Sequence, residues 1–133
     1  MSKSLGNFFT VKEVLSKFPA EVVRFFLINA HYRSPLDFSD AALAEAETAL
    51  LRLYTTLARL EEVLQKYPDV TLPAELDYYP ANLTLEECAR LGSLQGRFDL
   101  ALDDDLNTAQ ALGFLFEAVR LLNRLLALGW FCP

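Results

Sequence analysis

Residues 40–67, DAALAEAETALLRLYTTLARLEEVLQKY, decide the fold. Apolar residues recur in this stretch at alternating spacings of three and four, while charged residues occupy the other faces. This period of about 3.5 predicts one amphipathic helix of roughly 40 Å, whose apolar seam packs against the rest of the chain. Ser39 or Asp37 is expected to cap its first turn. The predicted seam consists of Leu43, Ala46, Leu50, Leu53, Leu57, Leu60, Leu64 and Tyr67.

Two shorter helices are predicted before the long one. Thr10 can cap a helix that runs to about Lys17, because its hydroxyl can accept from the free N–H groups of the first turn. The first position of a helix tolerates proline, so we expect a second helix to begin at Pro19. It should reach about His31 and be buried on most sides. Residues 1–10, MSKSLGNFFT, fit no period and are expected to form a loop.

A linker and a further helix are predicted after the long helix. Residues 68–83 contain three prolines, which break any helix there, and we expect Tyr78 and Tyr79 to pin this linker to the bundle. Thr84 and Glu87 have the spacing of a capping box and begin the next helix. Its predicted buried stripe consists of Leu85, Cys88, Leu91, Leu94, Phe98 and Leu102.

The last predicted helix spans about residues 108–128. Asn107 is its expected N-cap, with Gln110 at the third helical position, and Gly129 ends it. No stretch shows the alternation of a strand. The chain is therefore predicted to be all-α, an antiparallel bundle of about four to five helices with an extended N-terminal loop.

Composition limits the possible classes of protein. The chain has 133 residues, of which 53% are hydrophobic, and this content favours one ordinary globular domain over disorder. No uninterrupted apolar run approaches about 18 residues, so no membrane span or membrane partner is expected. Two cysteines cannot build a disulfide framework. With no recognisable export signal, they favour a reducing, cytoplasmic setting.

The net charge of −6 argues against a free-standing nucleic-acid binder. The charge is unevenly distributed, however, because residues 1–34 carry +3 and residues 35–133 carry −9. One interpretation is a solvated acidic bundle with a basic end that has no function. The other is that an anionic partner meets the first 34 residues.

Few residues have the spacing of a catalytic or metal site. His31 is the only histidine and has no metal-binding neighbour at ligand spacing, so a helix-end cation is its expected role. Asp103–Asp105 could be imagined as a magnesium site, but capping and solvated charge are the favoured interpretation. Lys3 lies between Ser2 and Ser4 on a glycine-containing loop, which suits a transient contact with phosphate.

Three stretches resemble those of a known family. Residues 1–7, MSKSLGN, followed by FFT, resemble the signature loop of class I aminoacyl-tRNA synthetases. Residues 26–39, FLINAHYRSPLDFS, resemble the stretch after that loop in cysteinyl-tRNA synthetases. Residues 102–108, LDDDLNT, resemble a third stretch, in the helical domain of the same family. The order of the three stretches and the gaps between them also fit this family, and the resemblance covers essentially the whole chain.

The resemblance implies an ATP-dependent ligase that forms cysteinyl-adenylate and transfers cysteine to tRNA(Cys). It implies that Lys3 stabilises the triphosphate of ATP as pyrophosphate leaves, within a loop formed with Met1, Ser2 and Ser4. Residues 1–18 would be a remnant of that loop with a short connecting helix, and residues 19–133 a helical bundle of the anticodon-binding type. The expected tRNA-facing residues are Lys12, Lys17, Arg24, His31 and Arg33.

The resemblance also implies that this sequence is a fragment. The family's nucleotide-binding domain and its cysteine-selecting zinc site precede the signature loop, and neither Cys88, Cys132 nor His31 matches the zinc ligands. The full enzyme is expected to use ATP with magnesium, together with zinc. We expect the fragment to bind none of these and to be inactive alone.

Two other functions remain open from the sequence. The acidic body and the long seam also suit a free-standing helical module for protein interaction. The related cysteine ligase of mycothiol synthesis shares the adenylate chemistry, although residues 31–39 are more similar to the tRNA enzyme.

Overall fold

The computed structural model describes residues 10–66 and 83–127, and every regular element in these ranges is a helix. This confirms the all-α prediction. Six helices are described rather than four to five, because the helix predicted from Thr84 to about Leu102 is broken at Ser93. The helices are α1 (Val11–Lys17), α2 (Ala20–Ile28), α3 (Asp40–Lys66), α4 (Leu85–Gly92), α5 (Leu94–Asp103) and α6 (Thr108–Ala127).

Two capping boxes begin helices where the sequence predicts them. The Thr10 side chain accepts from the Glu13 backbone N–H at 3.2 Å, and the Glu13 carboxylate accepts from the Thr10 N–H at 2.8 Å. Thr84 and Glu87 repeat this arrangement at the start of α4. Each box satisfies two backbone donors that a helix leaves free in its first turn.

Single side chains cap the two longest helices. Ser39 Oγ accepts from the Ala42 N–H at 3.2 Å, so Ser39 rather than Asp37 caps α3. Asn107 Oδ1 accepts from the Gln110 N–H at 3.1 Å, as predicted for α6.

Helix α2 is shorter and less buried than predicted. It ends at Ile28 rather than at about His31, and Asn29 is its C-cap. Leu27 and Ile28 are 53% and 46% exposed, so the expectation of burial on most sides is wrong. The buried side chains are Val22, Phe25 and Phe26.

Ser93 divides the predicted 84–102 helix. Its φ and ψ of −92° and 4° end α4, and its hydroxyl donates to the Ala89 carbonyl at 2.8 Å. Such local side-chain bonds compete with a continuous helix, and Gly92 lowers helix propensity beside it. The predicted stripe is only partly buried: Leu85 is 65% exposed, and Cys88 is intermediate rather than fully buried.

The predicted seam of α3 holds only in its first half. Leu43 is fully buried, whereas Leu57 and Leu64 are 51% and 66% exposed, and Tyr67 lies outside the described residues. The reason is the length of α2, which runs antiparallel to α3 and reaches only as far as Tyr54, where Glu21 accepts from the Tyr54 hydroxyl. Beyond that level α3 is covered by α6 on another face, where Thr56 is buried.

The main core joins four helices. Its buried residues come from α1, α2, α3 and α6. The rings of Phe25 and Phe116 meet edge-on, with their centroids 6.3 Å apart. Helices α3 and α6 run in the same direction, because Leu43 and Leu112 near their starts belong to the same core and Asn123 donates to Thr56 further along. The buried members of the core are Val14, Val22, Phe25, Phe26, Leu43, Ala46 and Leu112.

Helices α4 and α5 are held on α6 by arginine–carboxylate pairs. Glu117 of α6 accepts from Arg90 and from Arg97, each at 2.8 Å. The Arg97 guanidinium also lies 4.1 Å from the centroid of the Phe114 ring. A further pair joins Arg124 to Glu87 at 2.6 Å. Over the described ranges, no helix has the length and apolar character needed to cross a membrane.

Candidate functional site

Two of the stretches singled out in the sequence meet in space. Asp105, in the turn between α5 and α6, faces His31, Tyr32 and Arg33, which follow α2. The Tyr32 hydroxyl donates to Asp105 Oδ1 at 2.7 Å, and Arg33 Nη2 donates to the same oxygen at 3.0 Å. His31 Nε2 lies 3.8 Å from Asp105 Oδ2. We call these four residues the Asp105 junction.

The segment after α2 orders its own side chains. The Ser34 N–H donates to the His31 carbonyl at 2.8 Å, which closes a turn. The Arg33 N–H donates to His31 Nδ1 at 3.2 Å, so this ring nitrogen acts as an acceptor. The His31 and Tyr32 rings stack at 4.9 Å, and Arg33 Nε donates to the Tyr32 hydroxyl at 2.9 Å.

The Asp105 side of the junction is a strained turn. Asp105 and Leu106 have φ of 55° and 53°, in the left-handed region. Backbone bonds from Leu106 N to Leu102 O and from Asn107 N to Ala101 O, both 3.0 Å, satisfy the last carbonyls of α5. Aspartate tolerates this conformation better than leucine does. The turn therefore presents the Asp105 carboxylate to the segment after α2.

The electrostatics of the junction are those of a structural contact. The hydrogen bond to the Asp105 carboxylate raises the pKa of the Tyr32 hydroxyl, which opposes its ionisation. Asp105 is already engaged by Tyr32 and Arg33. This arrangement joins two loops.

Of the expected tRNA-facing cations, two are exposed on helices and three face carboxylates of the chain. Lys12 and Arg24 are exposed on α1 and α2. Lys17 Nζ lies 2.7 Å from Asp40 Oδ2, and Arg33 and His31 face Asp105. The last three thus hold carboxylates of the chain itself, and their contact with RNA stays a prediction.

The expected catalytic loop lies outside the described residues, which begin at Thr10. The role of Lys3, with Met1, Ser2 and Ser4, therefore also stays a prediction. In the described ranges, no three His, Cys, Asp or Glu residues form a group that could hold a metal ion. Asp103 ends α5 and Asp104 is its C-cap, and Asp105 pairs with the segment after α2. The donor set present in these ranges does not fit zinc.

Reasoning from the sequence missed the pairing at the junction. Both partners lay in stretches that resemble the family, but they are 72 residues apart and nothing local links them. It also missed Arg52 and Arg59, whose seven-residue spacing puts them on one face of α3, away from the predicted seam.

Comparisons with known proteins agree with this geometry. Residues 1–48 match the family described as tRNA synthetases class I (C) catalytic domain, and residues 97–129 match the DALR domain. The Asp105 junction joins these two regions, because residues 31–33 lie in the first and Asp105 in the second. The matches identify the chain as part of a class I aminoacyl-tRNA synthetase.

The individual relatives are more specific. The chain is 53% identical over 129 residues to the cysteine–tRNA ligase of Trichlorobacter lovleyi and 55% identical over 130 residues to that of Geobacter metallireducens, which covers 97% of this chain in both cases. It is 41% identical over 124 residues, or 93% of this chain, to that of Desulfotalea psychrophila. The chain belongs to the cysteinyl-tRNA synthetase family. It spans about a quarter of the length of these relatives, 25%, 25% and 24% respectively.

Proposed function

We propose that the protein containing this chain is a cysteine–tRNA ligase. It forms cysteinyl-adenylate from cysteine and ATP and then transfers the cysteine to tRNA(Cys). One observation carries this proposal: relatives of that name are 53% and 55% identical to this chain over 97% of its length. The Asp105 junction supports it, because the two stretches that resemble the family contact one another as parts of one folded unit.

Within that enzyme, this chain supplies the helical part that contacts tRNA and the end of the ATP-binding loop. Residues 1–18 belong to the catalytic side and residues 19–133 to the helical domain. Lys3 stabilises the charge that develops on the triphosphate, and the exposed Lys12 and Arg24 face the RNA. Such electrostatic stabilisation acts on the transition state without a covalent step.

The cofactors of the whole enzyme are ATP with magnesium, and zinc. Zinc, when bound, selects the thiol of cysteine, since thiolate is a preferred zinc ligand. Its ligands come from outside residues 10–66 and 83–127, because no suitable group of donors lies within these ranges. The enzyme acts in the cytoplasm, in keeping with two cysteines that build no disulfide framework.

Aminoacylation by the full-length protein tests the proposal. We expect transfer of radiolabelled cysteine to tRNA(Cys) in the presence of ATP, and no transfer of serine under the same conditions. Pyrophosphate exchange that depends on cysteine is expected as well. If the protein joins activated cysteine to a small amine acceptor and leaves tRNA uncharged, the proposal is wrong.

A further inference from the structure

A groove with a cationic lining runs between α3 and α6. It consists of a hollow of about 630 Å³, bordered by Arg52, Arg120 and Asn123, and a second of about 380 Å³, bordered by Arg52, Arg59 and Asn123. The two hollows share Arg52 and Asn123 and therefore adjoin. We call this region the α3–α6 groove. It lies on the side of α3 opposite to the face that α2 covers.

The arginines of the groove differ in their partners from four of the other five arginines, the exception being Arg24. Arg52, Arg59 and Arg120 are exposed, and in the part of the chain that the structure describes none has a carboxylate within 4.0 Å. By contrast, Arg33, Arg90, Arg97 and Arg124 each hold a carboxylate at 3.0 Å or less. A guanidinium without a protein partner retains its donors for an external anion.

The one acidic side chain bordering these hollows is already engaged. Glu117 accepts from Arg97 and Arg90, which hold the pKa of its carboxyl below the usual range. Its charge is thus compensated within the protein. The remaining charge of the lining is positive, although the surrounding residues 35–133 carry a net −9. The groove is a local exception to an acidic surface.

The spacing of the arginines favours a polymer over a small ion. Arg52 and Arg59 are two turns apart, a rise of about 10 Å along α3. Arg120 approaches from the other helix. Three separated guanidinium groups suit a ligand that carries several phosphates in a row.

The hydroxyl groups of the groove add a preference for ribose. The Thr48 and Thr55 hydroxyls donate to the carbonyls of Ala44 and Leu51 at 3.0 and 2.8 Å. Their protons are therefore in use, and their oxygens can only accept from a ligand. A 2′-hydroxyl can donate to such an oxygen, whereas the sugar–phosphate backbone of DNA has no hydrogen-bond donor.

The floor of the groove is rigid. Thr56 is 2% exposed, and its hydroxyl donates to the Arg52 carbonyl at 3.0 Å and accepts from Asn123 Nδ2 at 2.7 Å. This buried bond joins α3 to α6 beneath the arginines. The two helices that carry the arginines are therefore joined before any ligand arrives, which lowers the entropic cost of binding.

We infer that the α3–α6 groove binds the phosphate backbone of a structured RNA. Arg52, Arg59 and Arg120 contact phosphates, and the oxygens of Thr48 and Thr55 accept from ribose hydroxyls. The inference rests on the proposed function, under which this RNA is the tRNA substrate. It adds a contact surface outside the first 34 residues. The charge distribution of the sequence had favoured those first 34 residues as the contact region for an anionic partner.

The test compares tRNA binding by variants of the full-length protein. In the triple variant Arg52→Gln, Arg59→Gln and Arg120→Gln, we expect the Kd for a tRNA(Cys) transcript to rise about tenfold or more. The slope of log Kd against log salt should become shallower by about two to three. Cysteine-dependent pyrophosphate exchange should stay unchanged, because it needs no tRNA. The corresponding triple lysine variant should keep most of the salt dependence.

A control variant lowers the net charge equally at exposed positions away from the groove: Gln65→Glu, Ala89→Glu and Gln95→Glu. If it weakens binding as much as the glutamine variant does, total charge is responsible and the inference is wrong. The inference is also wrong if the glutamine variant binds tRNA normally, whether or not its melting temperature falls. Failure of the unmutated protein to charge tRNA would instead contradict the proposed function.

Discussion

Two neighbouring residues in the turn after α5 share the left-handed conformation but differ in what they gain from it. Asp105, at φ 55°, directs its carboxylate to Tyr32 and Arg33. Leu106, at φ 53°, is 63% exposed and buries little apolar surface in return. A leucine in this region costs about 1–2 kcal/mol relative to a right-handed conformation. The turn is therefore maintained by the bonds around Leu106 rather than by Leu106 itself.

Leu106→Asn should stabilise the chain. Asparagine tolerates the left-handed region, and little buried apolar area is lost, so we expect the free energy of unfolding to rise by about 0.5–1 kcal/mol. Denaturant titration measures the change. The matched control is Leu100→Asn, at a 68% exposed position within α5, where asparagine lowers helix propensity and should destabilise. Equal effects at both positions would contradict this account of the turn.

Lys3→Ala should separate chemistry from folding. We expect cysteine-dependent pyrophosphate exchange by the full-length protein to fall about 10²–10³-fold, because one preorganised charge on the developing anion is lost. The free energy of unfolding should change by less than about 0.5 kcal/mol. Lys3→Arg should restore part of the exchange rate. An unchanged exchange rate in Lys3→Ala would remove this residue from the proposed site.

At the scale of the element, the capping residues and the bounds of the long helix were predicted correctly, whereas the break at Ser93 and the surfaces shared between helices were not. The long helix was predicted over 40–67 and is found over Asp40–Lys66, and each capping residue acts on donors within three positions of itself. Which part of α3 is buried by α2 depends on where α2 begins, at the level of Tyr54, and this limit is not encoded within α3. The seam therefore holds at Leu43 and is wrong at Leu57.

The two halves of α3 should respond differently to truncation. Leu43→Ala removes a fully buried side chain from the main core and should cost about 2–5 kcal/mol. Leu57→Ala acts on a side chain that is 51% exposed and should cost less than about 1 kcal/mol. Both changes are measured by denaturant titration of otherwise identical chains. Similar losses at the two positions would restore the uniform seam that the heptad pattern predicts.

At the scale of the whole molecule, the candidate sites arise from contacts that no single stretch contains. The resemblance singled out residues 26–39 and 102–108 separately, and only the fold shows that Arg33 reaches Asp105. The α3–α6 groove was hidden for a second reason. The net charge of −9 over residues 35–133 averages over many carboxylates, several of which are paired with arginines. The charge that is available to bind a ligand therefore differs from the net charge.

Glu117 links α4 and α5 to α6 through Arg90 and Arg97, and this link should weaken in acid. Hydrogen bonds from Arg97 and Arg90 lower the pKa of Glu117 from its ordinary 4.5. A lowered pKa means that the ionised carboxylate stabilises the fold above pH 4.5 and that this contribution disappears as the pH falls through the lowered value. The melting temperature of the unmutated chain should therefore fall on acidification more steeply than that of Glu117→Gln. Glu61→Gln, at an exposed carboxylate on α3, should keep the original acid dependence. If Glu117→Gln retained it as well, another group would be responsible for the loss of stability.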